Sequence, residues 1–264
     1  MSAVKPIRAL ERGLQIVELL AARSSASLHD LHLSTGLPKA TLLRILKTLI
    51  ERKWVQPRPS DTSYVAGPLL RFGEKPSRQD NALARAAIPV LDALSKNVVW
   101  PSDLAIRRGD TMWIIEHSRR HARFVINRNV VGRRPRFLQS AMGRAYLAFC
   151  PEDEREEILR RLQRSSHPDD RRANATRWLA DMLKQTRAQG YGAREPGYWA
   201  DTDDVGGDIN SIAVPLMRRE RTIACLNLLW VSDAMSIEAF AAKYLAALKQ
   251  AADDLARRFD ASQD

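Results

Sequence analysis

Ser27-Leu28-His29-Asp30-Leu31-His32-Leu33-Ser34-Thr35-Gly36-Leu37-Pro38-Lys39-Ala40-Thr41-Leu42-Leu43-Arg44-Ile45-Leu46-Lys47-Thr48-Leu49-Ile50 reads as helix, tight turn, helix. Ser27 suits an N-cap, and Asp30 three residues on makes a capping-box partner. Leu28, Leu31 and Leu33 give the first helix an apolar side. Gly36 suits the left-handed conformation that ends it. Pro38 falls in the first turn of the next helix, where a missing N–H costs nothing. Leu42, Leu43, Leu46, Leu49 and Ile50 form an apolar stripe. Lys39, Thr41, Arg44, Lys47 and Thr48 stay outside it. A turn of this kind lets the second helix project into a DNA major groove.

The surroundings agree. Residues 8–22 carry Leu10, Leu14, Val17 and Leu20/Ala21 at helical spacing, which predicts a preceding helix. After Lys53, the runs Trp54-Val55-Gln56 and Ser63-Tyr64-Val65-Ala66 are extended, joined by a turn from Pro57 to Thr62. The order is helix, helix, turn, helix, two-stranded wing. Residues 1–78 hold 13 Lys and Arg against 6 Asp and Glu, so +7 of the net +11 lies there. A compact basic module is the electrostatic footprint of a nucleic-acid binder. Arg44 has the planar fork that pairs with guanine, and Thr41 reaches a base or a phosphate. Lys39 and Lys47 suit phosphates, which position without specifying. Ala40 and Arg58 complete the candidate DNA-binding set.

Residues 1–68 are therefore expected to be a winged helix-turn-helix, 69–82 a linker and 83–264 a second domain. The linker contains Gly73, Pro76 and Ser77. A helix is expected across 83–96, bent at Pro89. Leu104–Arg108 and Met112–His117 flank Gly109-Asp110, a hairpin signal. Phe124–Asn127 reads as a strand. Residues 141–149, 152–163 and 172–188 read as helices. Ile209–Met217 and Thr222–Val231 read as strands joined at Arg218-Arg219-Glu220-Arg221, and a last helix runs from Ser236 towards Phe259. This predicts an α+β domain closed by its terminal helix.

Several classes of function are excluded or weakened. No apolar run approaches the ~20 residues of a membrane span, and no secretory leader is visible at Met1 to Leu10, so a cytoplasmic location is expected. Cys150 and Cys225 form no CxxC pair and read as buried structural thiols. His29 and His32 lie three apart, and His117 and His121 flank Arg119-Arg120. Neither pair has a third ligand at metal spacing, so no metal or cofactor is expected. There is no nucleophile elbow, phosphate loop or HExxH motif, which argues against an enzyme.

The stretches Thr35-Gly36-Leu37-Pro38-Lys39-Ala40-Thr41, Arg44-Ile45-Leu46, Thr48-Leu49 and Tyr64-Val65-Ala66-Gly67 resemble the IclR family of bacterial transcriptional regulators. So do Ser140-Ala141-Met142-Gly143-Arg144-Ala145-Tyr146-Leu147-Ala148, Ala188-Gln189-Gly190-Tyr191, Ser211-Ile212-Ala213-Val214-Pro215 and Ala224-Cys225-Leu226-Asn227. The resemblance spans nearly the whole chain. It implies a winged helix, a linker helix and a GAF-like effector domain with a central antiparallel sheet, assembled as a homodimer or homotetramer. It also implies a double-stranded operator as partner, with contact to RNA polymerase as one route of action. Within the family, Val98-Val99-Trp100-Pro101-Ser102-Asp103, Val131-Gly132-Arg133-Arg134 and Leu147-Ala148-Phe149-Cys150-Pro151-Glu152 resemble the activators of 3-(3-hydroxyphenyl)propionate catabolism. That implies an aromatic carboxylate as effector.

The residues give part of the same effector site. Ser140, Ala141 and Met142 precede a helix whose free N–H groups suit an anion, and the family's carboxylate-binding loop falls on them. The resemblance further places Asp201 and Ser211 at effector contacts. Asn227 sits mid-strand among apolar residues, where a ligand hydroxyl or a satisfied core amide are equal readings. Residues 105–144 hold ten arginines against Asp110 and Glu116. Arg123 is a candidate partner for a carboxylate, and solvated strand faces explain most of the rest. Two alternatives stay open: a repressor of the same kind of operon, and a constitutive DNA-binding protein whose second domain only oligomerises.

Overall fold

A computed structural model describes residues 6–22, 26–57, 63–67, 77–119, 130–198 and 209–262. The chain divides into two compact units, Met1–Lys75 and Pro76–Asp264.

The first unit is three helices and a wing. α1 (Arg8–Ala22), α2 (Leu28–Thr35) and α3 (Lys39–Glu51) are followed by β1 (Val55–Pro57) and β2 (Tyr64–Ala66). The strands pair antiparallel, and an isolated bridge from Ala26 to Tyr64 ties the wing to the start of α2. The capping box forms as read: Ser27 N donates to Asp30, and Asp30 N donates to Ser27 Oγ at 3.1 Å. Gly36 ends α2 at φ 67°, a conformation that a side chain would strain. Ile16, Leu20, Leu31, Leu42, Leu46 and Val55 make the core.

Four apolar assignments fail here. Leu10 and Leu14 are 58% and 48% exposed, because α1 turns Ile16, Val17 and Leu20 inward instead. Leu43 is 49% exposed. At about 100° per residue it falls outside the arc that buries Leu42 and Leu46. Leu33 is also exposed.

The second unit is a five-stranded antiparallel sheet with helices on both faces. The strands are β3 (Ser102–Arg108), β4 (Thr111–His117), β5 (Gly192–Ala193), β6 (Ile209–Arg218) and β7 (Arg221–Val231), in the order β4-β3-β7-β6-β5. The helices are α4 (Arg78–Asn97), α5 (Ala141–Phe149), α6 (Glu152–Gln163), α7 (Thr176–Gln189) and α8 (Ile237–Ala261). Side chains alternate across a strand. Ile212, Val214, Leu216, Leu226 and Leu228 therefore pack with α4 and α8, where Trp230 stacks on Phe240 with centroids 3.6 Å apart. Ala105, Ala213 and Cys225 face the other way, into a second core with α5, α6 and α7.

The differences from the sequence reading are local. α4 starts at Arg78 rather than 83, because Ser77 and Asp80 form a second capping box. It passes through Pro89 without ending. The helix expected over 172–188 splits into a 3-10 segment (Pro168–Asn174) and α7. β5 is too short to show alternation. The expected strand Phe124–Asn127 lies outside the described residues, as do Arg58, Arg123 and Asp201.

Candidate functional site

In the first unit, α3 presents Lys39, Ala40, Arg44, Lys47 and Thr48 on its exposed side, with Thr41 half-buried. The turn beneath is held from inside. His32 Nδ1 is 2.7 Å from the Leu37 carbonyl, and Leu37 N donates to Thr35 Oγ1 at 3.2 Å. His32 is thus occupied in fixing the turn. A rigid turn fixes the angle at which α3 leaves it, which is what groove insertion needs.

In the second unit, the described members of the expected effector set (Ser140, Ala141, Met142, Ser211 and Asn227) gather on the sheet face that meets α5. Ser140 caps α5, its Oγ accepting from Gly143 N at 2.9 Å. Ala141 and Met142 are buried in the core. α5 lies unusually close to its neighbours. A methyl group at Gly143 would stand 2.3 Å from Phe137 Cα, and one at Gly192 2.3 Å from the Ala141 carbonyl oxygen. Gly192 pairs with Ala213, Ala213 with Asn227, and Asn227 with Asp103. The start of α5 therefore stands over the same end of the sheet as these residues.

Two polar side chains there are buried, and one of them lacks a partner among the described residues. Ser211 is 3% exposed, and its Oγ has no hydrogen-bond partner among the described residues. Asn227 is also 3% exposed. Its Oδ1 accepts from Asp103 N at 2.7 Å. Ser211 pairs with Leu229, so Asn227 is its diagonal neighbour, about 7 Å away. Buried polar atoms are normally satisfied, so the unpartnered Ser211 hydroxyl on this face suits a small polar guest.

Sequence reasoning missed the ion pair beside them. Asp103 accepts from Arg119 Nε at 2.9 Å and from Nη2 at 2.8 Å, and both residues are buried. A signal existed: Asp103 opens the apolar run Leu104-Ala105-Ile106 at a position facing inward. The arginine-rich stretch also differs from the solvated faces expected of it. Arg107 pairs with Glu154, Arg108 with Asp80, Arg136 with Asp170 and Arg144 with Glu195. Burial lowers Arg144 to about 10, helped by the nearby Arg172 charge. Cys150 and Cys225 are buried, as expected. Burial pushes the Cys150 thiol up to about 11 and raises Cys225 as well, so neither supplies a thiolate near neutral pH. No helix among the described residues is long and apolar enough to cross a membrane.

Comparison with known proteins agrees with this architecture. Residues 9–59 match the IclR helix-turn-helix domain, and residues 78–257 match the bacterial transcriptional regulator IclR C-terminal domain. The chain is 26% identical over 233 residues to the HTH-type transcriptional regulator XynR of Escherichia coli K12, covering 84% of this chain and 85% of that protein. It is 26% identical over 214 residues to the regulator TsaQ1/TsaQ2 of Comamonas testosteroni, covering 80% and 73%. Among solved structures, a transcriptional regulator from Rhodococcus sp. RHA1 superposes with a TM-score of 0.58 at 22% identity, over 97% of this chain and 99% of that one. An IclR homolog from Microbacterium hydrocarbonoxydans, complexed with 4-hydroxybenzoate, does so at 0.55 and 21%, over 96% and 99%. The helix-turn-helix, the sheet with its covering helices and these matches together make the chain a member of the IclR family of DNA-binding transcriptional regulators, a family of regulators rather than enzymes.

Proposed function

We propose that this regulator reads a double-stranded operator through α3 and the wing, and that a small aromatic carboxylate held on the α5 side of the second unit controls it. Lys39, Ala40, Thr41, Arg44, Lys47 and Arg58 serve the DNA contact. Ser140 with the main chain of Ala141 and Met142, together with Ser211, Asn227, Asp201 and Arg123, serves the effector. The observation that carries the effector reading is the buried Ser211 Oγ, which has no partner among the described residues. A hydroxyl can donate, and a donor suits carboxylate or carbonyl oxygens.

The aromatic character rests on two likenesses: Val98–Asp103 and Leu147–Glu152 to activators of 3-(3-hydroxyphenyl)propionate catabolism, and the fold shared with the 4-hydroxybenzoate complex. The product is activation of an aromatic-acid catabolic operon by a homodimer or homotetramer, through a shift between assemblies that the effector binds unequally.

A thermal-shift screen against hydroxybenzoates and hydroxyphenylpropionates tests the reading. Selective stabilisation, weakened in Ser211→Ala, is expected. A flat response across the panel, with DNA binding intact, removes the aromatic-carboxylate assignment.

A further inference from the structure

The outer side of α3 carries one residue that the charge argument does not use. Leu43 is half exposed, three positions from the exposed Ala40 and one from Arg44. No described residue of its own unit covers it, because the core arc of α3 is filled by Leu42 and Leu46. Its surroundings define what does. Lys39, Arg44 and Lys47 flank it, and no acidic residue occurs from Lys39 to Thr48. A second copy of this face would bring like charges together. A polyanion with an apolar group on its accessible edge fits both features. The DNA major groove offers that combination, since only thymine presents a methyl group there.

We infer that Leu43, with the Ala40 methyl beside it, is a specificity determinant that packs on a thymine C5-methyl group, next to the guanine read by Arg44. This rests on α3 being the DNA-facing helix. Ala40 and Leu43 are separated by about 4.5 Å along the helix axis, and successive base pairs by about 3.4 Å. The patch therefore spans one or two base steps. The operator half-site should hold a thymine within one step of a guanine.

The test starts from a random duplex library enriched on the full-length protein. Each thymine of the enriched half-site is then replaced by deoxyuridine, which removes only the methyl group. Affinity is measured by fluorescence anisotropy at one fixed salt concentration. One or two positions should weaken wild-type binding by about fourfold, the value of one buried methyl-sized group. Leu43→Ser should bind the thymine and uracil duplexes equally, and Arg44→Ala should keep the discrimination at thymine. An exposed position makes both variants compatible with folding. Library selection without enrichment, no effect of any uracil, or undiminished discrimination in Leu43→Ser would each overturn the inference. So would a change of oligomeric state in Leu43→Ser with discrimination intact, which would make Leu43 a protein contact. Lys39→Ala and Lys47→Ala separate the two levels. If neither weakens binding, α3 is not the DNA face. If they do and uracil has no effect, only the reading of Leu43 fails.

Discussion

Ser211 is poorly placed for stability and, on the proposed reading, well placed for binding. A buried hydroxyl without a partner costs on the order of 1–3 kcal/mol, and Ser211 Oγ is in that position. Ser211→Ala should therefore hold or raise the urea midpoint, by up to about 1 kcal/mol. The same variant should bind an aromatic carboxylate about tenfold more weakly, since one hydrogen bond is worth roughly 1.4 kcal/mol. Loss of stability without loss of affinity would mark the hydroxyl as purely structural. Some residues were legible in the sequence at this scale. Ser27, Asp30 and Gly36 act through neighbours two to four positions away, and all three take the roles read for them. Leu10, Leu14 and Leu43 were misread, because helical spacing shows which residues share a face but not which face is covered.

Among the elements, β3 carries the most consequence. Its first half holds Asp103, paired to Arg119 and bonded through its amide to Asn227. Its last residue, Arg108, pairs with Asp80, a member of the capping box that starts α4. One strand thus touches the proposed effector side at one end and the start of the helix that follows the DNA-binding unit at the other. Arg119→Met leaves Asp103 buried and uncompensated and should cost about 3–5 kcal/mol by chemical denaturation. A double variant, Asp103→Leu with Arg119→Met, should recover much of that. Arg108→Gln acts differently, because its pair is partly exposed and worth at most about 1 kcal/mol. It should leave global stability nearly unchanged while amide exchange quickens at Asn81 to Ala84. Equal slowing or no change there would mean that the cap stands without the arginine. Sequence periodicity found β3, β4, β6 and β7, whose lengths let alternation show. It missed β5, a two-residue strand defined by its pairing with Ala213 and Ile212.

On the scale of the whole molecule, the two units have separate cores and, on the proposed reading, separate ligands. Calorimetry should resolve two transitions, one raised by operator duplex and the other by effector. A ligand at a hundred times its Kd adds about 2.7 kcal/mol to the unit that binds it. Coupling between them is reciprocal. Whatever factor the effector imposes on operator affinity, the operator must impose on effector affinity. Titrations in both orders measure it, and a factor of one in each would leave the chain a DNA binder without a switch.

The sequence by itself determined the helix-turn-helix, the order of the long elements and the polarity of α3. These follow from local signals: caps, a left-handed glycine, alternation over several residues and a concentration of positive charge. It also supplied the motifs that carried the family resemblance. Only the tertiary structure decided what meets across the chain. It placed Asp103 against Arg119 and Asn227, a pairing 124 positions apart in the second case. It paired Arg107, Arg108, Arg119, Arg136 and Arg144 with carboxylates up to 51 positions away. It left Ser211 without a partner among the described residues and Leu43 outside its core. Burial and ion pairing are properties of surfaces brought together by folding, and no period in the chain encodes which surfaces those will be.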